Sequence, residues 1–339
     1  MSLRILHTAD LQIEDSQHLP DNLDRQFEAW DEIYKIALKY KVDYILNSGD
    51  LICNVNLSEE GRTRLQRKFI EYDNPEKYPK HFIISGNHDV YNDEQTMIRP
   101  FKDLAKLVLH NYEMVELKPK FIKVSKELSI LAIPYRKGLT TKDFYRYVKK
   151  GHKKNDSKYF AVMAHFYAQG AVLANGYKKG GDVEFDKVLW DYLALGDAHE
   201  FQKMCKRGFY SGAPVQHKFG DKLPKGVIIY DLARHKHKFV AIDTPKIKKL
   251  IQLTEIPKKW PVNAWVDLKT KKDINVEKLP DSVIKSATVV EEQEVNTQKL
   301  DDITEGLPEY LADIGFDKKE QRRGVKLVNN ITETLKPED

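Results

Sequence analysis

A chain of 339 residues, 41% hydrophobic and 32% charged, is long enough for one large core with smaller appendages. It has no run of about 18 apolar residues, which excludes a helical membrane span, and its two cysteines are too few for a disulfide framework. The net charge of +5 is uneven, with +6 on residues 1–245 and −1 on residues 246–339.

Met1-Ser2-Leu3 passes straight into an apolar strand, which leaves no room for a signal peptide and predicts a cytoplasmic protein. That strand runs out into Asp10 and Gln12. Residues 24–40 place Phe27, Trp30, Ile33, Ile36 and Ala37 at helical spacing. A second strand at 44–46 leads to Asp50, and a polar helix is predicted over 59–72. A third, at 81–84, ends in Gly86-Asn87-His88-Asp89. A helix follows over 94–107. Strands at 129–133 and 159–164 flank a basic helical segment, and the second delivers His165. Leu193-Ala194-Leu195 precedes Asp197 and His199. Beyond Gly208 the pattern is mostly β, with a hairpin formed by 227–232 and 239–242. The fold class is α/β of mixed α+β type: two mixed sheets with helices outside over residues 1–245.

Residues 246–295 read as a small α+β cap domain, with strands near 250–256, 264–268 and 287–290 and a short helix near Val276. Residues 296–339 read as a C-terminal helical hairpin broken at Gly315-Phe316-Asp317. Ile303, Leu307 and Leu311 form one apolar stripe, Val328 and Ile331 another. The hairpin folds on its own core or presents a face to a partner helix.

Five apolar strands thus end in Asp, Asn or His, at the edge where α/β folds place their chemistry. Each motif alone is an ordinary turn; five in this order point to a metal site. Carboxylate, amide and imidazole donors without cysteine suit Mn²⁺ or Mg²⁺. A carboxylate placed like Asp50 can bridge two ions, the arrangement used for in-line phosphoryl displacement, while a neighbouring histidine protonates the leaving oxygen. Arg146, Lys149, Lys150, Lys153 and Lys154 are either a solvated helix end or a contact for nucleic-acid phosphates. His217, after Ser211-Gly212-Ala213-Pro214, is placed to approach the site from the cap side, among candidate DNA contacts.

The order Asp10-x-Gln12, Gly49-Asp50, Gly86-Asn87-His88-Asp89, Ala164-His165 and Gly196-Asp197-x-His199 resembles the calcineurin-like metallophosphoesterase superfamily. Within it, Arg4-Ile5-Leu6-His7-Thr8-Ala9-Asp10-Leu11-Gln12 and Phe209-Tyr210-Ser211-Gly212-Ala213-Pro214 are similar to nuclease subunits of the SbcD type, including short phage forms. The resemblance implies that Asp10 and His199 bind a first ion, that Asn87 and His165 bind a second, and that Asp50 bridges them. It makes His88 the proton donor, oriented by Asp89. It further implies Mn²⁺-dependent exonuclease and endonuclease activity in DNA recombination, repair or replication. The cap would bind DNA, and the C-terminal helices would dock on an SbcC-type SMC-like ATPase, with a homodimer inside a heterotetramer. A phosphatase, or a DNA-binding scaffold with a degenerate site, could be built on the same motifs. Gln12 and Asp197 stand where the family has histidine; oxygen in place of nitrogen turns preference away from Zn²⁺ and weakens the first site.

Overall fold

In chain order the protein builds β1 (Arg4–Thr8), α1 (Asn22–Lys39), β2 (Tyr44–Asn47), α2 (Glu59–Glu71) and β3 (Lys80–Ile84). The short strands β4 (Val90–Asn92) and β5 (Gln95–Thr96) precede α3 (Arg99–Val108), β6 (Tyr112–Val115), β7 (Lys120–Lys123) and β8 (Leu128–Ile133). Then come α4 (Thr141–Lys154), β9 (Tyr159–His165), β10 (Tyr192–Gly196), β11 (Gln202–Cys205) and β12 (Gly208–Tyr210). β13 (Gly226–Asp231), β14 (Lys236–Ala241), β15 (Lys249–Leu253) and β16 (Ala264–Leu268) complete the series. The computed structural model describes residues 2–15, 19, 21–53, 57–172, 178, 180–181, 183–269 and 279–283.

Two six-stranded mixed sheets face each other, in the orders β14-β13-β1-β2-β3-β6 and β11-β12-β10-β9-β8-β7. Their central strands are parallel and the antiparallel pairs lie toward the edges. Strand pleat sorts the side chains into layers. In β3, Phe82 and Ile84 enter the core between the sheets, while Ile83 faces the helices. In β8, Leu128, Ile130 and Ala132 point inward, whereas Leu131 and Ile133 pack with Phe144 and Val148 of α4. Both faces of each sheet are therefore covered, which is why these strands read as unbroken apolar runs. α1 supplies Phe27, Trp30, Ile33 and Ala37 to the helix-side core of the first sheet.

The helix predicted over 94–107 starts later. Gln95–Thr96 pairs with β4 instead, the Asn92 side chain accepts the Glu94 N–H at 2.9 Å, and proline in the first turn sets the start of α3. The strands predicted near 250–256 and 264–268 form a separate two-stranded parallel sheet, β15-β16. It is tied to the start of α1 by the Trp265 indole N–H on Asp21 (2.9 Å). The strand at 287–290, the helix near Val276 and the hairpin over 296–339, with Ile303, Leu307, Leu311, Val328 and Ile331, lie outside the described residues. Among the described residues no helix is long and apolar enough to cross a membrane.

Candidate metal centre

The C-terminal ends of β1, β2 and β3 in one sheet and of β9 and β10 in the other open onto a common edge. Asp10, Asp50 and His165 meet there, fully buried, with one ligand atom from each within 4.8 Å of the others. Four of the motif residues have left-handed backbone: Asp10 (φ 55°), Gln12 (φ 49°), Asp50 (φ 53°) and Asp197 (φ 101°). Each such residue costs about 1–3 kcal/mol and persists only where its surroundings hold it. Here the holding is a ladder between the two loops, Asp10 N to Gly49 O and Gln12 N to Asp50 O, both 2.9 Å. The Asp197 N–H adds a third tie, donating to Asp10 Oδ1 at 3.0 Å.

His165 Nδ1 donates to the Ser48 carbonyl at 2.7 Å, which turns Nε2 into the cluster. Nε2 faces Asn87 Oδ1 at 2.8 Å, Asp50 Oδ1 at 3.5 Å and Asp197 Oδ1 at 3.9 Å. Burial alone would lower the pKa of this imidazole, but the carboxylates of Asp50, Asp197 and Asp10 push it up to about 9. Burial also raises Asp10 well above the carboxylate range; His165 opposes this, and Asp50 and Asp197 add to it. Three carboxylates, an amide oxygen and one imidazole converge, with Asp10, Asp50 and His165 fully buried and Asn87 and Asp197 half-buried. Acceptors so placed need a cation among them, and the oxygen-rich donor set fits a divalent ion.

The motif glycines make room for this convergence. A Cβ on Gly86 would lie 2.0 Å from Asp50 Oδ1 and 2.6 Å from His165 Cε1, and one on Gly49 would lie 2.3 Å from His165 Nδ1. Glycine is required at both positions by close approach rather than by the turn alone.

His88 lies at the mouth, its side chain 42% exposed. Its backbone N–H donates to Asp50 Oδ1 at 2.9 Å, and its Nδ1 meets the Cys53 carbonyl at 2.9 Å. That carbonyl, not Asp89, orients the ring. The Asp89 carboxylate instead accepts three backbone N–H groups, from Gly86 (2.8 Å), Ile52 (2.9 Å) and Leu51 (3.2 Å), and so staples the Asn-His-Asp turn to the Gly-Asp loop. Burial and Asp50 push its pKa up to about 7 against the pull of those amides. The Cys53 thiol is pushed up by burial and by Glu14, so it packs rather than reacts.

Gln12 directs its amide nitrogen at Asp50 Oδ2 and at His199 Nε2, both 3.2 Å. Burial lowers the His199 pKa to about 4, so its ring is neutral at pH 7. His217, expected among the DNA contacts, turns inward: its Nε2 donates to the Asp10 carbonyl at 2.8 Å.

Lys149, Lys150, Lys153 and Lys154 are exposed on the C-terminal half of α4. α4 crosses from β8 to the parallel β9, so its last turn lies near the start of β9. At 1.5 Å per residue its 14 residues carry that turn roughly 20 Å from the edge holding His165. These lysines match a helix C-terminus better than a site-lining surface. Arg146 is different. It stacks on the Tyr147 ring at 5.2 Å, and Arg136 flanks the same ring at 5.8 Å.

Sequence reasoning missed the groove beside this pair, about 970 Å³ in volume, whose lining includes the cations Lys118, Arg136 and Lys137, the rings of Tyr135 and Tyr147, and the carboxylates Asp93, Glu94 and Glu116. It lies near the cluster without being lined by any of its residues: Val90 directly follows Asp89, and the Tyr135 ring lies edge-on to His165 at 6.3 Å. The signal was available: Tyr135-Arg136-Lys137 follows β8 as the metal-binding motifs follow their strands.

Buried carboxylates and one imidazole, set at the joined edge of two facing sheets beside an exposed histidine, define a metal-dependent phosphoester hydrolase. Residues 3–201 match the sequence profile of the family described as calcineurin-like phosphoesterase, well over half of the chain, and the protein belongs to that family. Among solved structures it is similar to GAP50, described as the anchor in the inner membrane complex of Plasmodium. The identity is 10%, over 77% of this chain and 99% of that one, with a TM-score of 0.39. No curated protein matches the chain.

Proposed function

We propose that this metallophosphoesterase is a DNA nuclease subunit, Mn²⁺-preferring, that works in recombination, repair or replication with an SbcC-type ATPase. In that assembly it forms a homodimer within a heterotetramer. The observation that carries the substrate class is the groove near the cluster, where Lys118, Arg136 and Lys137 flank Tyr135 and Tyr147 in a lining that also holds Asp93, Glu94 and Glu116. Cations interleaved with aromatic rings suit a strand that offers alternating phosphates and bases. A small phosphomonoester would leave most of that groove unused.

Asn87 and His165 are the donors that would hold the tighter ion, Asp10 and His199 with Gln12 and Asp197 would hold the weaker one, and Asp50 stands between the two sets. Ions bound there would supply an acidified water and neutralise charge gathering on phosphorus. His88 works from the open side. With Nδ1 committed to the Cys53 carbonyl, Nε2 is the atom that faces substrate, and in the imidazolium form it protonates the leaving oxygen. Asp89 keeps the turn that carries His88 in register with Asp50.

End-labelled linear duplex DNA, a generic phosphodiester and a phosphomonoester, each assayed with Mn²⁺ and with chelator, test this reading. Wild type is expected to cleave the DNA only with Mn²⁺, and His88→Ala to lower kcat by about 10²–10⁴ while DNA binding persists. Turnover of the monoester with intact DNA would make the protein a phosphatase instead.

A further inference from the structure

Among the described residues, the side of β15 away from β16 is met not by a strand but by one side chain. Leu250 N–H donates to Gln216 Oε1 at 2.9 Å, and the Leu250 carbonyl accepts from Gln216 Nε2 at 3.0 Å. Gln216 is only 4% exposed, and its Nε2 also reaches the Asp221 carbonyl at 2.8 Å. Arg25 of α1, fully buried, clasps the same two segments: Nη2 donates to Gln216 O and Nε to Lys248 O, each at 3.0 Å. At the same end of the sheet, Lys248 lies 3.9 Å over the Trp265 ring that bonds Asp21.

The next residue along the chain touches the cluster. His217 donates from Nε2 to the carbonyl of Asp10 at 2.8 Å, and its ring meets His199 edge-on at 5.1 Å. Its own N–H is held by Asp221 Oδ2 at 3.0 Å. Two adjacent residues therefore separate β15 from the backbone of one candidate ligand and the ring of another. Asp10 is also one of the left-handed residues, so its carboxylate points into the cluster only while its peptide is held.

We infer that Gln216 and His217 are positioning residues that link the seating of the β15-β16 sheet to cation affinity at the cluster. Outer contacts of this kind fix the orientation of ligands and typically change metal affinity by about 10–100-fold when removed. The two hydrogen bonds from Gln216 share the seating of the sheet with Arg25 and with the Trp265–Asp21 bond, so they can be broken without unfolding it. A partner that pulls on residues beyond β15 would act on the metal site through this link. The inference rests on the metallophosphoesterase reading of the cluster.

Mn²⁺ binding, followed by the electron paramagnetic resonance of free Mn²⁺, tests it without reference to activity. Wild type, Gln216→Ala, His217→Phe, His217→Gln and the double variant Gln216→Ala/His217→Phe would be compared, with thermal midpoints taken in chelator. His217→Phe keeps a ring against His199 but loses the donor, and is expected to weaken Mn²⁺ about tenfold. His217→Gln restores a donor and most of the affinity. Gln216→Ala gives a loss similar to that of His217→Phe, and the double variant is no weaker than the worse single one. Folded variants that bind Mn²⁺ like wild type, or losses that multiply in the double variant, overturn the inference. So does a His217→Phe loss that His217→Gln fails to repair. If His217→Phe does not fold, Gln216→Ala reads the same link from its outer end. A wild-type protein that binds no Mn²⁺ overturns the metal reading itself.

Discussion

Gln12 offers a neutral amide where an imidazole would supply a stronger donor, and in its present orientation it turns N–H toward both Asp50 and His199. An amide must rotate to present oxygen to a cation, whereas a histidine in that place has a lone pair ready. Gln12→His is therefore expected to tighten the weaker cation site about tenfold or more and to move its preference toward Zn²⁺. Calorimetric titration with Mn²⁺ and with Zn²⁺ checks this; an unchanged second binding step would show that Gln12 does not face that ion. Asp197 calls for a different account. Its N–H is bonded to Asp10 while its carboxylate approaches His165, so it serves as backbone clamp and candidate ligand together.

At the scale of elements, the two cationic segments divide by their place along the strands. The end of α4 lies at the far end of β9 from the cluster, whereas Arg136 and Lys137 follow β8 at the near end. Replacing Lys149, Lys150, Lys153 and Lys154 by alanine is expected to leave KM for linear DNA within about twofold. Arg136→Ala/Lys137→Ala is expected to raise it by about tenfold and to flatten its salt dependence. Steady-state kinetics at two salt concentrations separates these outcomes, and the reverse pattern would return the DNA path to α4. The placing of Asp10, Asp50, Asn87, His165 and Asp197 was legible in the sequence because each follows a run that only a doubly covered strand would carry. What the sequence hides is set by long-range contacts: the Cys53 carbonyl on His88, the amides on Asp89, Gln216 on Leu250. None of these has a local signature. The helix expected from Glu94 begins only at Arg99 for the opposite reason, since local turn chemistry at Asn92 overrode a weak helical pattern at its start.

For the whole molecule, the cluster couples pH to stability. Between pH 6.5 and 9 in chelator the folded protein binds more protons than the unfolded chain, since His165 holds its proton up to about 9 against 6.5, and Asp89 up to about 7 against 3.8. Stability from a raised pKa is complete below the unfolded value and is lost as pH climbs through the folded one. Each excess proton steepens that loss by about 1.4 kcal/mol per pH unit. The thermal midpoint in chelator should therefore fall between pH 6.5 and 9, and the gain on adding Mn²⁺ should widen over the same range. A gain that shrinks as pH rises would mean the cation does not compete for these groups. The first sheet has a further consequence for how the protein is made. β13, which starts at Gly226, completes it by lying against β1, which starts at Arg4, so the earliest strand waits for one of the last. His165, Asp197 and the His217 that braces Asp10 are also made after Asp10, Asp50 and His88. A chain still growing on the ribosome holds Asp10, Asp50 and His88 well before it holds the residues that make them a site. The cluster therefore stays incomplete until the chain has been made through the residues that brace it.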